Sequence, residues 1–423
     1  MDIHNFYLIT AIIFSSLLAW GIGANDVSNA MGTAVGSKSI SIKQAIFIAA
    51  VFEFLGALLA GSEVTNTIRE KIIILSNNPD EAINVLNNHI LAIGMLASLA
   101  SAATWLIIAS YFGWPISTTH TIVGAIVGIG ASQLGIDYIN INYIAYIVLG
   151  WILSPLLGGI VAYVIFFSIQ AFIFSKAKPL EAAKQSMVYY VFITILVIAI
   201  LTGSKLYHIG IYLSFVENIC YSAIFSMLIA VICQSYIKRL NLDPKADKLF
   251  HFTNVEKIFS ILTIFTACAM AFAHGSNDVA NAIGPAATVV HIVHKTTSNT
   301  TIPIWLLIVG ASSIVVGLAT YGYKVIATIG NNITELTPSR AFAVSLATAS
   351  IVLLASSSGL PISTTHTLVG GILGIGLARG IHALNLNVIK GIFASWIMTV
   401  PIGALLAIIF FYIILNITKL FLH

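Results

Sequence analysis

Charge is what this sequence has least of. Only 8% of its 423 residues are Asp, Glu, Lys or Arg, against roughly a quarter in a soluble domain. That scarcity argues against an ordinary soluble enzyme. A formal net charge of only +4 leaves no basic face on which nucleic acid could bind. Cysteine is almost absent too. Cys220, Cys233 and Cys268 lie in apolar runs, without the spacing of a zinc site or a disulfide framework. No basic segment precedes the first apolar run, so that run is expected to be retained rather than cleaved. What remains is apolar: 58% of residues are hydrophobic and the mean hydropathy is +0.99. Such a chain is expected to be an all-α polytopic membrane protein with the lipid bilayer as its solvent.

A spanning helix needs about 20 apolar residues. Candidate runs cover residues 6–20, 42–61, 90–112, 115–131, 143–174, 187–202, 211–233, 258–273, 304–321, 341–355, 361–377 and 388–415. About ten to twelve membrane helices are therefore expected. Gly21, Gly23, Pro115, Gly284, Pro285 and Pro361 interrupt these runs, and broken or re-entrant helices are expected there. Lys176, Lys178 and Lys184 fall in one loop and Lys238, Arg239, Lys245, Lys248 and Lys257 in another. Both loops are expected to face the cytoplasm. Residues 132–142 carry no Lys or Arg, whereas the matching residues 378–390 carry Arg379 and Lys390. Matching loops on opposite sides imply two inverted repeats, residues 1–175 and 258–423, around a central helix pair at 176–257.

Four motifs in the same order in both halves carry the chemistry. Gly23-Ala24-Asn25-Asp26-Val27-Ser28-Asn29-Ala30 returns as Gly275-Ser276-Asn277-Asp278-Val279-Ala280-Asn281-Ala282. Gly113-Trp114-Pro115-Ile116-Ser117-Thr118-Thr119-His120-Thr121 returns as Gly359-Leu360-Pro361-Ile362-Ser363-Thr364-Thr365-His366-Thr367. Proline followed by serine favours a helix start, so half-helices are expected to begin near Ser117 and Ser363. Their free N–H groups, with the hydroxyls of Thr118, Thr119, Thr364 and Thr365, suit a tetrahedral oxyanion. Gly124, Gly128, Gly370 and Gly374 would let those helices pack closely.

The other motif pair supplies negative charge. Asn25 and Asn29 share a helix face with Asp26 beside them, and Asn277, Asp278 and Asn281 repeat the set; carboxylate plus amide oxygens suits Na⁺, and a buried carboxylate can instead hold a proton. An ionisable group in a spanning segment is functional by default; Glu53, a third acid in an apolar run, is expected to be either a further cation or proton site or a structural helix contact. His120 and His366 are expected to support the hydroxyl runs by hydrogen bonding. Glu335 and Arg340, either side of Pro338, are expected to form a loop contact. Ser117 with His120 has no orienting acid in the pattern, so a hydrolase is not expected. An anion 4 Å from one carboxylate is repelled by about 4 kcal/mol at an effective dielectric near 20. It can enter only with cations or protons, which points to symport.

These motifs resemble those of the inorganic phosphate transporter (PiT) family, and the resemblance covers nearly the whole chain. It implies a homodimeric, inverted-repeat symporter of about twelve membrane helices in the bacterial inner membrane, with both termini outside. Such a protein imports inorganic phosphate with Na⁺ or H⁺ as coupling ion and needs no cofactor. The family's functional positions fall on Asn25, Asp26, Asn29, Asn277, Asp278, Asn281, Glu53 and the two Ser-Thr-Thr-His runs. Met95 and Ser345 stand where family members carry glutamates, which weighs against Na⁺. Gly113-Trp114-Pro115 resembles the proton-coupled bacterial branch. A sulfate symporter of the same fold and a passive anion channel are the alternatives.

Overall fold

Helices carry the whole architecture. In a computed structural model, the described residues are 2–74, 81–112, 114, 116–205, 210–240, 252–294, 302–323, 336–380 and 386–420; the side chains of 81–87, 386–389 and 391–393 are not described. The expectations for Gly113, Pro115, Lys245, Lys248 and Glu335 fall outside these residues, as does the middle of the 378–390 loop.

The first half contains α1 (Ile3–Gly36), α2 (Ile42–Ala60), α3 (Ser62–Glu70), α4 (Glu81–Phe112), α5 (Thr118–Ile129) and α6 (Ile141–Ile169). A central pair follows, α7 (Pro179–Gly203) and α8 (Phe215–Arg239). The second half contains α9 (Thr253–His294), α10 (Ile304–Gly317), α11 (Pro338–Ser357), α12 (Thr364–Arg379) and α13 (Leu386–Lys419). Ten helices among the described residues are long and apolar enough to cross a membrane. The two motif helices α5 and α12, of 12 and 16 residues, are too short to do so alone. The protein is thus all-helical and polytopic. Among the described residues the one β-bridge joins Ile73 to Ile139.

Two interruptions read from the sequence are corrected. α1 runs unbroken through Gly21 and Gly23, and α9 runs unbroken through Gly284 and Pro285. These positions serve packing instead. A Cβ on Gly23 would lie 1.9 Å from the Ile314 carbonyl oxygen, and one on Gly317 would lie 1.9 Å from that of Trp20, so only glycine lets α1 and α10 touch backbone to backbone. Gly275 and Gly56 perform the same service for α9 against α2, facing Glu53 and Phe272 carbonyls. A proline inside a helix forfeits one hydrogen bond, and such a loss is tolerated where packed neighbours surround the helix. Residues 21–34 of α1 and 269–290 of α9 are buried on every side, so they are core helices rather than lipid-facing ones.

The Pro361 interruption is real: residues 360–363 are non-helical and α12 starts at Thr364. α4 with α5, and α11 with α12, form two antiparallel hairpins: Gly94 meets Ile129, and Gly371 meets Val344 and Thr348. Each short helix then packs on the other half, α5 on α13 and α12 on α6. Gly124 and Gly128 face Val400 and Ala404, and Gly370 and Gly374 face the Pro155 and Gly159 carbonyls. Lys184 Nζ donates to the Leu240 carbonyl at 3.2 Å, which brings the ends of both basic loops to one end of the α7–α8 pair.

Gly23→Ala is expected to lower the thermal midpoint of the detergent-solubilised protein by an amount equivalent to about 1–3 kcal/mol, because the added methyl must push two backbones apart. Ser132→Ala, at an exposed site, should leave the midpoint unchanged; equal midpoints for both variants would contradict the close approach.

Candidate functional site

The hairpin tips meet at the buried stretches of α1 and α9. Ser117 and Ser363 are the N-cap residues of α5 and α12, and each Oγ accepts its own helix's N–H from His120 or His366 at 3.2 Å. This is the capping geometry expected of serine before a helix. The next residue of each run turns to an acid: Thr118 Oγ1 donates to Asp26 Oδ2 at 2.6 Å, and Thr364 Oγ1 donates to Asp278 Oδ2 at 3.0 Å. The third residue reaches across the halves. Thr119 Oγ1 donates to the Ile362 carbonyl at 3.1 Å, and Thr365 Oγ1 to the Ile116 carbonyl at 3.4 Å. Each of these hydroxyls also accepts from an amide of the motif helices: Asn281 Nδ2 on Thr119 at 3.2 Å and Asn29 Nδ2 on Thr365 at 2.8 Å.

The two halves therefore repeat one hydrogen-bond pattern. Asn277 adds bonds from Nδ2 to the Ile362 carbonyl and to Asp278 Oδ1, both 2.8 Å. Its equivalent, Asn25, is 5% exposed and its Nδ2 has no hydrogen-bond partner. Asn277 Oδ1 and Asn281 Oδ1 are likewise buried without partners. Buried polar atoms are ordinarily paired, and here an amide donor of Asn25 and the amide oxygens of Asn277 and Asn281 stand unpaired in one locus.

One residue escaped the sequence reading. His274, fully buried, stands between two acids, with Nε2 2.9 Å from Asp278 Oδ2 and Nδ1 3.2 Å from Glu53 Oε1. It joins Glu53 to the site, and the ligand atoms of Asp26, His274 and Asp278 all lie within 4.8 Å of one another. The signal was present as a His and Asp four apart in an apolar helix, the spacing that shares one face. Ionised, the three acids bring three negative charges and a protonated His274 returns one, leaving the shell negative.

His120 and His366 sit behind the tips. Their rings lie 4.2 Å apart and stack on Trp151 and Trp396, with centroids 3.8 and 3.4 Å away. Neither Nε2 has a hydrogen-bond partner, so their contact with the hydroxyl runs is through the backbone cap. Thr33 and Ser345 share a 2.7 Å hydrogen bond, and Met95 is buried at 2% exposure. No carboxylate therefore stands at either of those positions.

The model of the "Phosphate transporter family" matches residues 22–407. A Haemophilus influenzae protein provisionally assigned as a phosphate permease is 50% identical, covering 96% of each chain. The chloroplastic inorganic phosphate transporter 2-1 of Arabidopsis thaliana is 40% identical over 95% of this chain and 71% of its own. A solved structure described as the sodium-dependent phosphate transporter superposes with a TM-score of 0.88 at 35% identity, covering 97% of this chain and 100% of its own.

Removing one member of a buried ion pair costs about 3–5 kcal/mol, whereas removing both costs less. His274→Ala is expected to lower the thermal midpoint more than the double variant Glu53→Gln/His274→Ala does. Strictly additive losses in that double-mutant cycle would show that the two side chains do not interact.

Proposed function

Because the chain belongs to the phosphate transporter family, we propose that it is a secondary active symporter importing inorganic phosphate together with cations. It is a membrane phosphate transporter and not an enzyme. The observation that carries symport is the saturation of the hydroxyls. Thr118 and Thr364 give their only protons to Asp26 and Asp278. A phosphate oxygen can receive those protons only when the carboxylates release them. Neutralising each acid by a cation or proton weakens its hold, since hydrogen bonds to ionised acceptors are about twice as strong as neutral ones. Cation entry thus frees donors for the anion and cancels the repulsion, which makes the two arrivals mutually favourable.

Phosphate would lie between the tips, held by Ser117, Thr118, Thr119, Ser363, Thr364 and Thr365. The coupling cations would lie on Asp26, Asp278 and the orphan oxygens of Asn277 and Asn281. Two coupling ions are each favoured by one observation. The sodium-dependent structural neighbour favours Na⁺; an imidazole wedged between two acids, and the absence of carboxylates at positions 95 and 345, favour H⁺. The tip-to-tip hairpins and the crosswise packing of α5 and α12 support two inverted repeats, residues 1–175 and 258–423, around the pair at 176–257. A homodimer in the bacterial inner membrane with external termini completes the reading.

In proteoliposomes, labelled phosphate should accumulate under one imposed gradient, Na⁺ or pH, and not under the other. Accumulation under neither, or flux that only equalises concentrations, would favour a channel. Excess sulfate should not compete; if it does, the substrate class widens to tetrahedral oxyanions. Asp26→Asn and Asp278→Asn should each reduce uptake at least tenfold, the effect of losing about 1.4 kcal/mol of coupling, while the variants still reach the membrane. Normal uptake in both would remove the site.

A further inference from the structure

A groove of about 790 Å³ opens where α6 ends and α7 begins, far along the chain from the motifs and unused by the transport cycle. α6 loosens there into a π-helical turn, Gln170–Phe174, a distortion that often marks a functional position. Lys176 and Lys178 line the mouth of the groove and both are exposed. Glu181, the acid on its wall, is engaged with Lys178 Nζ at 3.1 Å, which leaves the Lys176 charge uncompensated by any described carboxylate in the lining. Below the lysines the wall turns apolar and aromatic. Phe172, Tyr189 and Ile193 are 60%, 69% and 54% exposed, and the last two lie one helical turn apart on α7.

This sequence of surfaces, two ammonium groups at the water end of spanning helices and an apolar strip running into the bilayer, complements one kind of molecule. We propose that the groove binds an anionic phospholipid, its phosphate group between Lys176 and Lys178 and an acyl chain along Phe172, Tyr189 and Ile193. Basic pockets between membrane helices recognise lipid headgroups in this way, and long aromatic and lysine side chains anchor at the same depth. The end of α6 lines the groove with the start of α7, and Lys184 of α7 bonds the Leu240 carbonyl at the basic end of α8, so by the positive-inside bias the lipid comes from the cytoplasmic leaflet. The proposal needs only that the chain spans a membrane, so it stands apart from the coupling reading.

The test is native mass spectrometry of the full chain released from vesicles of phosphatidylcholine with or without phosphatidylglycerol. The wild type should retain phosphatidylglycerol and not phosphatidylcholine. Lys176→Gln/Lys178→Gln should weaken that retention about thirtyfold, from the usual contribution of each lysine near an anionic surface. Lys176→Arg/Lys178→Arg should restore it, and Lys43→Gln, at an exposed lysine outside the groove, should match the wild type. Equal retention of both lipids, or no loss in the double Gln variant, overturns the site. Displacement of the lipid by inorganic phosphate would mean the groove reads a phosphate group alone, and loss of a dimer with lipid retention unchanged would mean a second copy fills it; either outcome overturns the proposal.

Discussion

A threonine hydroxyl has one proton to give, and the centre of this molecule is arranged around that limit. Thr118 and Thr364 spend theirs on buried aspartates, while Thr119 and Thr365 spend theirs on carbonyls of the opposite hairpin tip. The aspartates would otherwise be charges in an apolar interior, where an unpaired ion is very costly. The carbonyls belong to non-helical residues beside each helix start, which have no partner inside a helix. Every donation therefore answers a local need of the fold, and the same donations are those that an oxyanion would want. On the proposed reading, stability without a guest and affinity for one compete for the same hydrogen atoms.

The correspondence between the halves is faithful in these contacts and broken in one other. Gly275 rests on the Glu53 carbonyl as Gly23 rests on that of Ile314, which makes Ile314 the counterpart of Glu53. Motif alignment makes Ile22 the counterpart of His274. The α2–α9 contact thus carries an acid and an imidazole, Glu53 and His274, and the matching α1–α10 contact carries two fully buried isoleucines, Ile22 and Ile314. Both members change together, as burial demands, since either alone would leave an uncompensated group. The site is symmetric in its hydroxyls and asymmetric in its charge.

Much of this was legible in the chain. A repeated Pro-Ile-Ser-Thr-Thr-His run announces a capped helix start, because proline, serine and hydroxyl chemistry act within a few residues, and Ser117 and Ser363 are caps. The span count was legible because hydropathy is a local sum. Gly21, Gly23, Gly284 and Pro285 misled, because a glycine that breaks a helix and one that admits a neighbour look alike until the neighbour is placed. His274 was missed for the same reason. Its partner Glu53 lies more than two hundred residues earlier, on α2, which meets α9 only in the folded chain. The tip-to-tip meeting of the hairpins is also a long-range fact, written in no single stretch.

The saturation of the donors also bears on what kind of passage this centre can support. A pore that passes anions needs standing donors, available whether or not an ion is present, and binding weak enough to release. Here the threonine protons are already engaged and three acids surround the position, so an anion arriving alone meets acceptors and negative charge. The free donors that remain are the Asn25 amide, the serine hydroxyl protons and the first N–H groups of α5 and α12, all uncharged groups set against carboxylates at close range. Under the proposed symport, an anion arriving alone is disfavoured both by charge and by the prior engagement of the threonine protons. On that proposed reading, a cation on the aspartates relieves both obstacles at once, because the carboxylates that would repel phosphate are the groups that hold the threonine protons.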